Sequence, residues 1–135
     1  MIRSPKLYFW DTGLACYLLR VRDPGQLVNH PLRGALFENY IVAEVAKMYR
    51  HHRLEPPLFF WRDRTGHEID LLIEESLALY PVEIKSGQTL DPGMMQGLRW
   101  WCDLAGRPLE NATLVYGGAA RQERGGIRVR PWFAV

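Results

Sequence analysis

The chain has 135 residues, 47% of them hydrophobic and 24% charged, which is the size and composition of one globular domain able to bury a core. A net charge of +2 does not by itself mark a nucleic-acid binder, and Cys16 and Cys102 lie far apart with no CxxC pairing, so neither a disulfide framework nor a zinc cluster follows from them. No apolar run reaches the roughly 18 residues of a membrane span and the first residues lack a signal-peptide pattern, so the expectation is a cytoplasmic protein with reduced thiols and no membrane partner.

In chain order, "KLYFWDTGLACYLLR" predicts a short aromatic strand over Leu7–Trp10. Asp11 then caps a helix from Thr12 to about Leu19. "VRDPGQLVNHP" reads as a connection, and helical periodicity returns from about Leu32 to His51. "PLFFWRD", "HEIDLLIE" and "LALYPVEIK" predict three consecutive antiparallel strands, with turns at "RTG" and at Glu75–Ser76. Asp91 and Pro92 stand where an N-cap and first helical residue belong, opening a helix that ends near Gly106. "NATLVYGG" reads as a buried strand and "GIRVRPWFAV" as a final short one. The expected fold is α/β or α+β: a mixed sheet, built on the antiparallel three-strand meander and flanked by helices. The strand after the second long helix is free to pair in parallel.

Three smaller features each carry two readings. Arg121, Arg124, Arg128 and Arg130 stand against the single acid Glu123 and suit either a phosphate backbone or a solvated edge. Trp100 and Trp101 are expected to divide between surface and core, since adjacent helical residues point about 100° apart; a base-stacking platform is the other reading. His51, His52 and His67 lack zinc-ligand spacing and are expected to be solvated.

The carboxylates are more informative. On a helix over 36–49, Phe37, Ile41, Val42, Val45, Met48 and Tyr49 form an apolar arc, and Glu38 projects within it, whereas Glu44 sits at its margin. A carboxylate aimed at a sheet needs a partner, either an arginine, an escape at the helix end, or a cation. In the second strand, alternation puts His67, Ile69, Leu71 and Ile73 on one face, with Glu68, Asp70, Leu72 and Glu74 on the other. Asp70 lies mid-strand beside leucine, an unfavourable place for aspartate, while Glu68 is nearer the turn and expected to be solvated. In the third strand Glu83 and Lys85 share a face with Leu79 and Pro81. Asp70, Glu83 and Lys85 are therefore expected to converge, with Glu38 lining the same pocket. Three carboxylates so gathered repel one another unless a cation joins them, and oxygen-only donors suit Mg²⁺ or Mn²⁺. Lys85 beside them suits hydrolysis of a phosphodiester.

This ordered set resembles the PD-(D/E)XK phosphodiesterase superfamily, which has a restriction-endonuclease-like core. "EID" at Glu68–Asp70 and "VEIKSG" at Val82–Gly87 carry the likeness. The resemblance implies Asp70 and Glu83 as metal ligands and Lys85 as the catalytic lysine. Glu38 corresponds to the helix glutamate of the Holliday-junction-resolvase-like branch, a further ligand. Over nearly the whole chain, "KLYFWDTGLACYLL", "RGALFENYIVAEV", "WRDRTGHEIDLLIE", "PVEIKSG" and the closing "RPW" run in the order seen in the DUF4143 domain. The resemblance implies a domain that forms the C-terminal part of a family of prokaryotic AAA-type ATPases. The implied organisation is one nuclease-like domain over 1–135, with residues 1–30 a lead-in from an upstream region. Leu7–Trp10 is then expected on the surface or against a neighbouring chain. The ATPase domain is expected outside this chain, which has no G-x-x-x-x-G-K-[ST] and so is not expected to bind ATP. The implied partners are DNA and that upstream ATPase domain, with homo-oligomerisation left open. Two functions follow: a metal-dependent DNA nuclease, or an inactive module that binds DNA or protein for its ATPase.

Overall fold

Local start and stop signals account for most elements of the computed structural model, which describes residues 5–135. Helix α1 (Thr12–Leu18) begins where the Asp11 side chain accepts the Leu14 N–H at 3.2 Å. Helix α2 (Pro24–Val28) falls inside the stretch that reads as a connection. Asp23 accepts the Gln26 N–H at 3.1 Å and Pro24 takes the first helical position, the same Asp-Pro start that the sequence shows at Asp91. Helix α3 (Arg33–His51) follows, with Arg50 and His51 in its last turn, where positive charge meets the negative end of the helix.

Strands β1 (Leu58–Arg62), β2 (Glu68–Glu75) and β3 (Ala78–Lys85) form the expected antiparallel meander. The β2–β3 turn lies one residue later than expected, on Ser76 and Leu77, both with positive φ (50° and 69°). Two left-handed residues give the turn whose twist matches the flanking strands. Asp91 caps a 3-10 turn over Pro92–Met95, which leads into helix α4 (Gln96–Ala105). Gly106 at φ +60° ends α4, and the Arg107 N–H reaches back to the Cys102 carbonyl at 2.8 Å. Strand β4 (Thr113–Tyr116) is followed by β5 (Gln122–Arg124), which the strand patterning does not signal. β5 turns on Gly125–Gly126 into β6 (Ile127–Pro131), and the chain closes with a 3-10 turn over Trp132–Ala134.

The six strands form one mixed sheet in the order β1-β2-β3-β4-β6-β5. β4 pairs in parallel with β3 and with β6, as the α4 crossover permits, while β5 is antiparallel to β6. Helix α3 lays Ile41, Val42, Val45 and Tyr49 on Leu71, Val82, Ile84 and Val115. On the opposite face α4 packs Leu98, Trp101 and Cys102 against Ile69, Leu72, Leu114, Ile127 and Val129. Met48, which falls on the expected apolar arc, is exposed, and Leu36 and Asn39 take buried positions instead. Trp101 is buried and Trp100 is partly buried, stacked on His67 with ring centroids 3.9 Å apart. His67 therefore makes a defined contact and is not merely solvated. No helix among the described residues is long and apolar enough to cross a membrane.

The aromatic segment Leu7–Trp10 is not a strand. It runs extended along α3, held by a buried side chain in place of a neighbouring strand. Asn39 Oδ1 accepts the Phe9 N–H at 2.6 Å and Asn39 Nδ2 donates to the Phe9 carbonyl at 3.0 Å. The amide of one side chain thus imitates one rung of a ladder. Leu7 and Trp10 are exposed, in agreement with the expected surface position of this segment.

Candidate active site

Asp70 owes its position to an irregularity in β2. Phe59 pairs with Leu72 and Trp61 with Ile69, so two steps along β1 match three along β2. This is a β-bulge at Asp70–Leu71, a device that re-aims a side chain and locally ends pairing. It also corrects the expected alternation: Leu71 faces α3, but Ile69 joins Leu72 on the α4 side. Beyond the last β2–β3 pair, Leu71 with Val82, the strands diverge and the Asp70 carboxylate enters the gap. Asp70 Oδ2 accepts the Ile84 N–H at 2.8 Å, replacing a ladder bond.

Glu83 and Lys85 share the α4 face of β3, as expected. Glu83 lies under the first turn of α4, where a Cβ on Gly97 would stand 3.9 Å from Glu83 Oε2. Lys85 Nζ lies 2.5 Å from Glu83 Oε1 and 3.8 Å from Asp70 Oδ2, so a single ammonium spans both carboxylates. Asp70 and Glu83 are buried, and Glu83 Oε2 has no hydrogen-bond partner.

Glu38 projects from α3 toward the same region but is drawn to other partners. Its Oε1 accepts from Lys6 Nζ at 3.0 Å and from the Tyr8 hydroxyl at 2.6 Å. Lys6 also pairs with Glu68, which is not simply solvated, and Arg62 Nε stands 3.9 Å from the other oxygen of that carboxylate. The structure thus brings Asp70, Glu83 and Lys85 together and sets Glu38 beside them in a second cluster with Lys6, Tyr8 and Glu68. Among the described residues no group of three or more His, Cys, Asp or Glu side chains is placed to hold a metal ion. Lys6 and Tyr8 join the site although the sequence reading gives neither a role, even within the stretch "KLYFWDTGLACYLL". Their one signal is spacing, since residues two apart on an extended segment point the same way.

The charges leave a deficit at Glu83. Burial, then the neighbouring Asp70 charge, pushes its carboxyl up to about 7, although Lys85 opposes this. Asp70 is also raised, by burial first, against the pull of Lys85 and the Ile84 N–H. Burial works against the Lys85 ammonium, but Glu83, Asp70 and Glu38 outweigh it and hold its proton above the ordinary lysine value. Lys6 behaves likewise between Glu68 and Glu38. Burial and the bond to Glu38 push the Tyr8 phenol well above its usual range. One ammonium between two buried carboxylates leaves an excess negative charge, which a proton or a cation can relieve.

The sequence profile of a family described as "Domain of unknown function (DUF4143)" matches residues 33–134. Two curated relatives are each 34% identical over 119 residues: Uncharacterized protein Rv2008c of Mycobacterium tuberculosis and Uncharacterized protein Mb2031c of Mycobacterium bovis. The match covers 88% of this chain and 25% of each relative, so the chain spans about a quarter of their length. No solved structure matches at comparable stringency.

Proposed function

The chain belongs to the DUF4143 family, and we propose that its acid–lysine site hydrolyses phosphodiester bonds in nucleic acid, DNA foremost, with Mg²⁺ or Mn²⁺ held by Asp70 and Glu83. The observation that carries this reading is Glu83 Oε2, a buried carboxylate oxygen with no partner, beside a second buried carboxylate. Buried polar atoms are nearly always satisfied, so an orphan here marks a place for a ligand. The donors are all oxygen, which fits a hard divalent cation. When bound, such a cation lowers the proton affinity of a water and offsets charge developing on a phosphodiester oxygen. Lys85 contributes a compact positive charge at the same point, orienting the scissile phosphate and limiting repulsion between the two acids. Glu38 adds negative charge at the margin, where Lys6 and Tyr8 hold it. The motif order also supports an AAA-type ATPase domain upstream in the same polypeptide, with this domain acting on DNA under its control.

A second reading, an inactive module that binds DNA or protein, is favoured by one observation: Lys6 and Lys85 already pair with all four acids. Calorimetric titration with Mn²⁺ at pH 8, followed by cleavage assays on branched, single-stranded and duplex DNA with the longer polypeptide, separates the two. The nuclease reading expects Mn²⁺ binding that Asp70→Asn and Glu83→Gln abolish, and cleavage that Lys85→Ala reduces at least a hundredfold while the variant stays folded. Absence of Mn²⁺ binding together with absence of cleavage leaves the binding module.

A further inference from the structure

A second recess lies on the α3 side of the sheet, away from the face that carries Glu83 and Lys85. It is an open recess of about 410 Å³ beside α3, over strands β2, β3, β4 and β6. The buried side chains of Ile41, Val45, Val82 and Val115 form its floor, and the partly exposed Ile73, Tyr80 and Thr113 stand at its rim. Two arginines reach the same recess from β6. Arg128 and Arg130 are two apart on one strand and so share a face, while Ile127 and Val129 turn into the opposite core.

Neither arginine forms an ion pair among the described residues. Glu123 is opposite Arg128 across the strand pair but makes no bridge to it, and Glu75, which also lines the recess, takes the Tyr49 hydroxyl. Arg128 makes one long bond, from Nη2 to the Asn111 carbonyl at 3.4 Å, and its Nε is buried with no acceptor. A guanidinium donor withdrawn from water without a partner is costly, which points to an anion that supplies one.

We propose that this recess binds a phosphate monoester carried on a planar ring of nucleotide size, with Arg128 and Arg130 holding the phosphate and Tyr80 meeting the ring. A carboxylate has two oxygens and satisfies one guanidinium fork; a terminal phosphate has three and engages both. The volume lies within the range of small-ligand sites, and Tyr80, partly exposed at the rim, offers a ring face on which a planar group can rest. The site is separate from the acid cluster and does not depend on metal.

The test is a titration of the full chain, in EDTA, with adenosine 5′-monophosphate and separately with inorganic phosphate, following the arginine Nε–H resonances by NMR. The expected result is a shifted Arg128 Nε–H signal, with the nucleotide binding at least tenfold more tightly than phosphate. Arg130→Gln, at a half-buried position, should weaken nucleotide binding at least tenfold with unchanged circular dichroism. Arg128→Lys keeps a cation at the deeper position but loses the Nε donor, and should weaken binding likewise. An unmoved Arg128 signal at millimolar nucleotide, equal affinity for the two probes, or wild-type affinity in Arg130→Gln overturns the proposal.

Discussion

Glu83 concentrates the conflict on which the candidate site rests. Its carboxyl titrates near 7 in the fold, pushed up by burial and by Asp70, against 4.5 in the unfolded chain. The folded state therefore binds more protons between those values. The stabilisation linked to that proton is fully present below pH 4.5 and is lost as the pH rises through about 7. At about 1.4 kcal/mol per unit, the loss reaches on the order of 3 kcal/mol by pH 8. Denaturant unfolding of wild type and Glu83→Gln at pH 5 and pH 8, in EDTA, tests this. The wild type should be less stable at pH 8, and the glutamine variant should lose most of that difference. A wild type equally stable at both pH values would show that Glu83 ionises without penalty.

Two contacts between elements hold the site in shape, and neither involves a charged group. Asn39 fixes the backbone of Phe9 from both sides and accounts for the path of the segment that carries Lys6 and Tyr8. Asn39→Ala leaves that backbone unpaired and should cost about 1–3 kcal/mol. Amide hydrogen exchange should quicken around Phe9 while β3 and β4 remain protected. Unchanged exchange there would show that the segment is held by other contacts. The second contact joins the end of β4 to the loop after Lys85. The Gly117 N–H bonds the Lys85 and Gly87 carbonyls at 3.1 and 3.0 Å, and a Cβ on Gly117 would collide with the Ser86 carbonyl oxygen. Backbone cannot swing aside as a side chain can, so Gly117→Ala should cost about 1–3 kcal/mol as overpacking. Chemical-shift changes at Ser86 and Lys85 should accompany the loss, and a neutral substitution would mean the two loops separate easily.

For the molecule as a whole, cation binding is a stability measurement. A ligand that binds only the folded state adds about 2.7 kcal/mol at a hundred times its Kd. Mn²⁺ at pH 8 should therefore raise the Tm of the wild type by several degrees, since about 1 kcal/mol shifts a domain of this size by a few degrees. Glu83→Gln and Asp70→Asn should not respond. Scanning calorimetry in EDTA and in millimolar Mn²⁺ decides the matter: a wild-type Tm that does not move removes the metal from the proposed mechanism. The three-layer arrangement makes the measurement sensitive, because β3 carries Glu83 and Lys85 on one face while its Val82 and Ile84 pack beneath α3 on the other.

Features encoded within a few residues are legible in the amino-acid sequence. Asp11 and Asp91 mark helix starts because a short carboxylate satisfies a free N–H three or fewer residues away, and the meander follows from runs of strand formers between turn residues. The pairing of Glu83 with Lys85 on one face follows from the twofold period of a strand, and the division of Trp100 and Trp101 from the helical period. Other features depend on partners far along the chain and leave no local mark. The bulge at Asp70 exists only relative to β1, since an extra residue is extra only against a neighbour. Leu7–Trp10 has the composition of a strand, yet the strand it would need is replaced by one amide on α3, thirty residues away. Glu38 points inward as its helical position requires, but which cation meets it depends on where the extended segment runs, and that path brings Lys6 and Tyr8 to it. Periodicity assigns a side chain to a face; the burial that raises Glu83 to about 7 arises only when α4 closes over that face.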